Sequence, residues 1–282
     1  MKFSIYSNGK KIDDKVPVNT DLTESVSVFE SLRTYRGKIF QIEQHLARFM
    51  ESAKTAGRDK GLERGALEKE LRLALETFKK ENPKAREADL FIRLTLLPES
   101  FRTGSSKWPV YVLIGERKHP PAIYKTGVRL RTSPVRRSLA NASPPQAKTS
   151  AYQNAVLATL EPAEGAYEWI FLDQQGYVTE VRIGNLFIVK DEELITPPTM
   201  GILNGVTRRF VIESAVRLEI PVREIPLTRH EIFTADEAFL TNTSWEILPV
   251  RELDGRRTGG KIPGPLTLKL QKLFKERVQE NL

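Results

Sequence analysis

The stretch Ala147-Lys148-Thr149-Ser150-Ala151-Tyr152-Gln153-Asn154 is the part of the chain around which the rest is organised. Its lysine follows a loop rich in proline and small residues, 140–146, and precedes an apolar run, 155–160. A lysine in an apolar setting loses hydration, which favours its neutral form. A neutral amine can attack a carbonyl and form a Schiff base. Most lysines are solvated surface residues, so Lys148 becomes a candidate catalyst only with support from other segments.

Four segments downstream of this lysine follow in a fixed order. They are Gly176–Glu180, Asn185–Phe187, Leu203–Arg208 and Leu240–Ser244. The third leads into a predicted amphipathic helix, Thr207–Leu218, whose first amides can bind an anion. Each segment alone has an ordinary explanation, because a strand-end glutamate is usually solvated or ion-paired and a threonine at a helix start is usually a cap.

Two arginines occupy patterned segments upstream. Residues 41–56 predict a helix that ends at Gly57, and Arg48 projects away from the centre of its apolar stripe, where an arginine is usually solvated. Residues 88–97 predict a strand with Arg93 in its middle, on the opposite face from the leucines. An arginine there requires a partner, which is either an internal carboxylate or the carboxylate of a substrate.

The composition excludes several classes of protein. The 282 residues include no cysteine, so disulfides, zinc–thiolate sites and cysteine nucleophiles are excluded, and the three histidines form no metal-binding motif. No signal peptide or transmembrane run is present in the sequence, so we expect a cytoplasmic protein that does not bind a membrane. The net charge is +8, but the lysines and arginines are interleaved with acidic residues along the chain. The densest basic stretch, Arg129–Arg137, lacks aromatic residues. This pattern favours small anionic substrates over nucleic acid.

The order of strands and helices predicts an α/β protein of two domains. Strand patterns dominate residues 1–40, where Asn8-Gly9 marks a hairpin and Ser25–Tyr35 alternates with Val26, Val28 and Leu32 on one face. Helices and strands then alternate along the chain, and 237–242 is predicted as a further strand. The segment Arg117–Tyr124 contains two adjacent prolines that break regular structure. We therefore predict a small N-terminal domain at 1–118, a linker at 119–126 and a larger C-terminal domain at 127–282 that carries Lys148.

Taken in order, these motifs resemble the fold-type IV, pyridoxal-phosphate-dependent aminotransferases. This family includes branched-chain aminotransferase, D-amino acid aminotransferase and aminodeoxychorismate lyase. The resemblance extends from about Phe29 to about Phe274 and rests on several separated motifs. It implies the two-domain α/β fold of D-amino acid aminotransferase, pyridoxal 5′-phosphate as the cofactor, and a homodimer in which the small domain of the partner helps to close the site.

The resemblance also assigns roles in cofactor binding. Lys148 forms the covalent link and moves the proton between the substrate α-carbon and the cofactor, and Glu180, in the pattern Gly-x-Val-x-Glu, keeps the ring nitrogen protonated. Tyr152 bonds the ring oxygen, although a packed core aromatic is the alternative. The phosphate is bound by Arg48 in His45-Leu-Ala-Arg48-Phe49, which is similar to the HLxRL segment of the family, together with Val206, Thr207 and Thr243.

The residues that the resemblance assigns to the substrate are Phe29, Arg93, Ser244 and Trp245. Two segments depart from the branched-chain enzymes. Phe91 replaces the tyrosine of a tyrosine-x-arginine motif, which removes one hydroxyl contact, and Asn242-Thr-Ser-Trp245 replaces Gly-Thr-Ala-Ala. Trp245 is therefore expected to narrow or reshape the substrate side.

The expected reaction is the ping-pong transfer of an amino group between an amino acid and a 2-oxo acid. Arg93 and the segment from Leu253 to Thr267 favour branched-chain or aliphatic L-amino acids, with glutamate and 2-oxoglutarate as the second pair. The chain length and the position of Tyr152, four residues after Lys148, favour the alternative of a lyase that makes 4-aminobenzoate. A D-amino acid aminotransferase is a third possibility. The joint presence of Lys148, Glu180 and Arg48 argues against a basic binding module.

Overall fold

The structure is a computed structural model that describes residues 3–12, 26–99, 107–139 and 144–280. The chain divides into two compact units. The first contains Met1–Lys118, Ala147–Ala151 and Val278–Leu282, and the second contains His119–Gln146 and Tyr152–Arg277. Residues 119–126, which the sequence suggests as a linker, thus belong to the second unit. The short segment with Lys148, which the sequence assigns to the C-terminal domain, belongs to the first.

The first unit is a sheet covered by two long helices. Within the described residues the sheet has six strands in the order β2-β1-β6-β5-β3-β4. The strands are β1 (Phe3–Ser7), β2 (Lys10–Ile12), β3 (Val28–Tyr35), β4 (Lys38–Ile39), β5 (Leu90–Leu96) and β6 (Val110–Glu116). The helices are α1 (Ile42–Thr55) and α2 (Arg64–Glu81), followed by a 3-10 turn (Pro83–Ala85).

The predicted faces of β3 and β5 are confirmed. The strands pair antiparallel with Ser31 opposite Arg93, so the side chains with even numbers on both strands share the face that packs into the core. The core residues on this face are Val28, Leu32, Leu90, Ile92, Leu94 and Leu96. Glu30 lies on the same face and is completely buried, which the alternation of the sequence does not suggest. The predicted first residue of β3, Ser25, lies outside the described residues.

Helix α1 confirms the predicted helix but buries more than its apolar stripe. The predicted apolar positions Ile42, Leu46, Phe49 and Ala53 are buried, and so are His45, Arg48 and Ser52. Gly57 follows the helix with φ +66°, and its amide donates to the carbonyl of Lys54, so this glycine ends the helix as expected. The polar side chains on α1 must therefore find partners inside the first unit.

The second unit is built on a mixed sheet. Within the described residues it has nine strands in the order β12-β11-β10-β13-β14-β7-β8-β9, with β15 paired to β14. These are β7 (Val128–Thr132), β8 (Glu168–Leu172), β9 (Val178–Val181), β10 (Asn185–Lys190), β11 (Glu193–Thr196), β12 (Val222–Glu224), β13 (Glu237–Asn242), β14 (Glu246–Leu253) and β15 (Arg256–Arg257). The helices are α3 (Ala122–Thr126), α4 (Gln153–Ala158), α5 (Val206–Arg217), α6 (Arg229–Phe233) and α7 (Pro265–Glu280).

The apolar run after Lys148 does not bury itself as the sequence suggests. Helix α4 has only six residues, and Ala158 is its buried residue, packed with Trp169 and Phe171. Val156 is 60% exposed and Leu160 is 76% exposed. A helix of six residues, less than two turns long, directs few side chains toward one side. Large apolar side chains of this run are therefore exposed.

The N-terminus of α7 is closed by a buried carboxylate. Glu237, on β13, accepts hydrogen bonds from the amide of Leu266 at 2.8 Å and from the amide of Thr267 at 2.7 Å. These amides have no partner within the helix, and the negative charge is favourable at a helix N-terminus. Glu237 thus fixes the start of α7 against the sheet.

Candidate active site

Lys148 is held by its backbone at the edge of the first unit. Its amide donates to Ser52 Oγ at 3.0 Å, and its carbonyl accepts from the amide of Phe29 at 3.1 Å. The next residue, Thr149, forms an isolated antiparallel bridge with Val28. These bonds fix the lysine beside the start of β3 and beside α1 without using its side chain.

The ring of Phe29 contacts two cations. Lys148 Nζ is 4.8 Å from the ring centroid, and the guanidinium carbon of Arg93 is 4.2 Å from it. Contacts of this kind are worth about 0.5–1 kcal/mol at exposed sites. In the described part of the chain, Arg93 forms no ion pair with a carboxylate. The sequence left two partners open for Arg93, an internal carboxylate or that of a substrate, and the internal pair is not observed among these residues. Phe29 thus supplies an apolar neighbour for Lys148.

Arg48 is paired with Glu30 inside the first unit. Its Nε donates to Glu30 Oε1 at 2.6 Å and its Nη2 donates to Oε2 at 2.9 Å. His45 Nδ1 lies 2.9 Å from the same Oε2. Burial alone would raise the pKa of Glu30, but the charge of Arg48 and the bond from His45 outweigh it and hold this pKa well below its usual range. Burial lowers the pKa of His45, which favours a neutral ring that donates through Nδ1.

Glu180 is the centre of a polar cluster in the second unit. Arg137 Nη2 donates to its Oε1, while Asn185 Nδ2, at 3.4 Å, and the Leu203 amide, at 3.2 Å, approach its Oε2. The guanidinium of Arg137 also lies 5.6 Å from the ring of Tyr152. The structure thus brings together three of the ordered segments, which carry Glu180, Asn185 and Leu203. Sequence reasoning missed Arg137, although this residue ends the basic stretch Arg129–Arg137.

The first turn of α5 offers backbone donors. Val206 begins the helix after Gly205, and no side chain caps its first amides. A Cβ on Gly205 would come within 2.3 Å of Asn185 Oδ1, so only glycine fits beside the Glu180 cluster without rearrangement. Val206 and Thr207 are buried at this end. The arrangement suits a bound anion, which takes the place of a cap.

The loop after β13 is tied by a single asparagine. Asn242 Oδ1 accepts from the amides of Ser244 at 2.8 Å and Trp245 at 2.6 Å, which fixes Thr243 between them. His119 Nε2 lies 2.8 Å from Ser244 Oγ. Trp245 is only 2% exposed and its ring centroid is 5.5 Å from that of Tyr167, so it contributes by packing under the loop. Sequence reasoning missed His119 and the role of Asn242.

The residues present fit pyridoxal phosphate. The first unit offers an amine beside an aromatic ring, and the second offers a buried carboxylate held by an arginine and an uncapped helix start. In the described ranges, no cluster of three or more potential metal ligands occurs and no helix is long and apolar enough to cross a membrane. The donor set matches what this cofactor requires: a lysine for its aldehyde, a carboxylate for its ring nitrogen and backbone donors for its phosphate.

Comparison with known proteins identifies the family. The amino-transferase class IV family matches residues 27–253. The chain is 33% identical over 261 residues to a branched-chain-amino-acid aminotransferase of Pseudomonas aeruginosa, covering 88% of this chain and 83% of the relative.

Two solved structures are similar over nearly the whole chain. A branched-chain aminotransferase from Thermoproteus uzoniensis with norvaline superposes with a TM-score of 0.79 at 30% identity, covering 99% of this chain and 95% of that one. A branched-chain amino acid aminotransferase from Escherichia coli superposes with a TM-score of 0.76 at 30% identity, covering 97% of this chain and 92% of that one. The expected family and fold are confirmed. The chain belongs to the class IV aminotransferases, which are pyridoxal-phosphate-dependent enzymes.

Proposed function

We propose that this enzyme transfers an amino group between a branched-chain or aliphatic L-amino acid and a 2-oxo acid, with glutamate and 2-oxoglutarate as the second pair. The observation that carries the choice of substrate is the position of Arg93. Its guanidinium lies against Phe29, whose ring also faces Lys148, and it forms no ion pair within the described residues. The names of the relatives support the same substrate class.

Each of the proposed site residues has a defined role in this reaction. When bound, pyridoxal phosphate supplies an aldehyde that links to an amine and a protonated ring that accepts electrons from the substrate α-carbon. Lys148 provides the amine and, once released, moves the proton at the α-carbon. Glu180, whose carboxylate is fixed by Arg137, holds the proton on the ring nitrogen. Val206, Thr207 and Thr243, with Arg48, hold the phosphate, and Tyr152 bonds the ring oxygen.

In this proposal, one region of the first unit accommodates both the apolar side chains of aliphatic substrates and the acidic side chain of glutamate. The sheet face around Arg93 also presents the rings of Phe29 and Phe91, with Arg117 over the latter at 4.1 Å. An apolar side chain gains from burial against the rings. The distal carboxylate of glutamate gains a charged hydrogen bond from Arg93. We propose that Ser244 completes the substrate side and that the buried Trp245 shapes it indirectly, by packing under the loop that carries Ser244.

The direct test is a half-reaction screen. The purified enzyme in its pyridoxal form is mixed with single L- and D-amino acids, and the change in cofactor absorbance is followed. Leucine, isoleucine, valine and L-glutamate should react, and D-amino acids should not. Reaction only with D-amino acids would identify a D-amino acid aminotransferase. Formation of 4-aminobenzoate from aminodeoxychorismate, without any half-reaction, would identify the lyase that the spacing of Tyr152 favours.

Removal of the Arg93 side chain should lower kcat/KM for glutamate more than for leucine. A charged hydrogen bond is worth about 1.5–3 kcal/mol, so Arg93→Ala should lower kcat/KM for glutamate roughly ten- to a hundredfold, and for leucine much less. Arg93→Lys keeps the charge without the fork and should lie between. A parallel fall for both substrates would show that Arg93 binds the α-carboxylate common to them or has a structural role, and no change for either would exclude it from the site.

We also propose a homodimer. The family resemblance implies it, and the exposed apolar side chains of α4 and the residues just after it, Val156, Leu157 and Leu160, form a surface that a second copy could cover. Light scattering of the eluted holoenzyme should give twice the chain mass of 32.1 kDa. A monomeric mass at assay concentration would contradict the proposal.

A further inference from the structure

Glu30 is a buried acid to which the sequence analysis assigns no function. It lies on the core face of β3, is completely buried, and accepts four hydrogen bonds, two from Arg48, one from His45 and one from the amide of Ser31. A buried carboxylate is costly unless it is paired and fully hydrogen-bonded. Apolar side chains would fill this part of the core without that cost, so the buried carboxylate indicates a specific role for Glu30.

The geometry fixes the orientation of one guanidinium. Arg48 presents Nε and Nη2 to the two oxygens of Glu30, a fork that allows little rotation. The second hydrogen of Nη2 and the two hydrogens of Nη1 point away from Glu30, so the fork sets their direction as well. With His45 neutral, the charges of Glu30 and Arg48 cancel. Glu30 therefore orients the guanidinium of Arg48 and does not increase its attraction for an anion.

The same helix also fixes the reactive lysine. Ser52, one turn after Arg48 on α1, donates from Oγ to the Arg48 carbonyl at 2.8 Å and accepts the Lys148 amide at 3.0 Å. Ser52 is 1% exposed, so its hydroxyl is buried. The backbone of Lys148 and the side chain of Arg48 are thus held by one rigid frame within the first unit.

We propose that Glu30 is a positioning residue that directs Arg48 toward the phosphate of the cofactor while Ser52 holds Lys148 in register with it. This inference rests on the proposed role of Arg48. It predicts that Glu30 is required for recognition of the phosphate but not of the pyridine ring. A residue with a purely structural role would affect both parts of the cofactor equally.

The test compares two ligands on the apoenzyme. Pyridoxal 5′-phosphate and pyridoxal, which lacks the phosphate, are titrated separately, and binding is followed by absorbance. In Glu30→Gln the side chain keeps its shape and loses its charge. Its dissociation constant for pyridoxal phosphate should rise about ten- to a hundredfold, the effect of disrupting charged hydrogen bonds, while that for pyridoxal stays within about twofold.

Two control variants separate stability from phosphate recognition. Glu237→Gln also alters a buried glutamate, the one that caps α7, and should lower the melting temperature without changing the ratio of the two dissociation constants. Glu30→Asp keeps the charge but shortens the side chain by one methylene, which moves its oxygens away from Arg48. It should therefore also weaken binding of pyridoxal phosphate selectively. It provides the test if Glu30→Gln fails to fold.

Arg48→Gln distinguishes failure of this inference from failure of the assignment on which it rests. If Arg48→Gln lowers the preference for pyridoxal phosphate and the folded Glu30 variants do not, Glu30 has no positioning role. If Arg48→Gln leaves the preference unchanged, the assignment of Arg48 to the phosphate is wrong, and the inference about Glu30 is overturned with it. Selective loss in both Arg48→Gln and the Glu30 variants supports the proposal.

Discussion

Lys148→Ala should abolish turnover while the protein stays folded. In the proposed mechanism the substitution removes the amine that links to the cofactor and the group that moves the α-proton. General acid–base catalysis alone contributes about 10²–10⁴-fold. The backbone bonds of residue 148, to Ser52 and from Phe29, do not involve its side chain and should survive. Single-turnover reaction with amino acid, followed by cofactor absorbance, is the measurement.

A chemical label locates the covalent link independently of turnover. Borohydride reduction of the wild-type holoenzyme should fix the cofactor to one peptide, and mass spectrometry should find it on Lys148. Lys190→Ala, which removes a lysine bonded to the Thr234 carbonyl, should remain labelled and active. Lys148→Ala should bind the cofactor weakly and remain unlabelled, and added methylamine should restore part of its proton transfer. A label on another lysine would overturn the assignment.

Glu180→Gln should slow the chemical step far more than it weakens substrate binding. Its carboxylate is buried and held by Arg137, Asn185 and the Leu203 amide, so it is oriented before the cofactor binds. The glutamine keeps the shape of the side chain but loses the charge that we propose holds the ring nitrogen protonated. Loss of one preorganised electrostatic group typically costs about 10²–10³-fold in kcat. The amino-acid dissociation constant, obtained from saturation of the half-reaction, should change little.

An isotope effect identifies the affected step. With α-deuterated leucine, the kinetic isotope effect on the half-reaction should increase in Glu180→Gln, because proton removal becomes more completely rate-limiting. Glu168→Gln is the matched control, since Glu168 is also buried and paired with an arginine, Arg182 at 2.9 Å. Its substitution should lower stability without changing the isotope effect. Equal losses in binding and chemistry, or wild-type turnover, would show that Glu180 does not contact the ring nitrogen.

Periodicity along the chain determined the elements of the fold. The apolar faces of α1 and β5 and the end of α1 at Gly57 were all visible in the sequence, because the side chains of one element share a face at a fixed spacing. The strand β13 was predicted with its observed bounds, Glu237–Asn242. The order of the polar motifs was sufficient to indicate the family, which the comparison confirms.

Only the tertiary structure decided the partners of the polar side chains. Glu30 and Arg48 are 18 residues apart, Arg137 and Glu180 are 43 apart, and Ser52 and Lys148 are 96 apart. Their pairing depends on strand register and on which elements pack together, and no local pattern encodes either.

The same dependence on tertiary contacts explains two further differences from the sequence analysis. The run after Lys148 is apolar in sequence, but whether it is buried depends on what packs against α4, and Val156 and Leu160 remain exposed. Likewise, Lys148 joins the first unit because its backbone bonds to β3 and α1, which precede it by about a hundred residues. Composition and periodicity determine which side chains tend to leave water, whereas the fold determines which groups they meet.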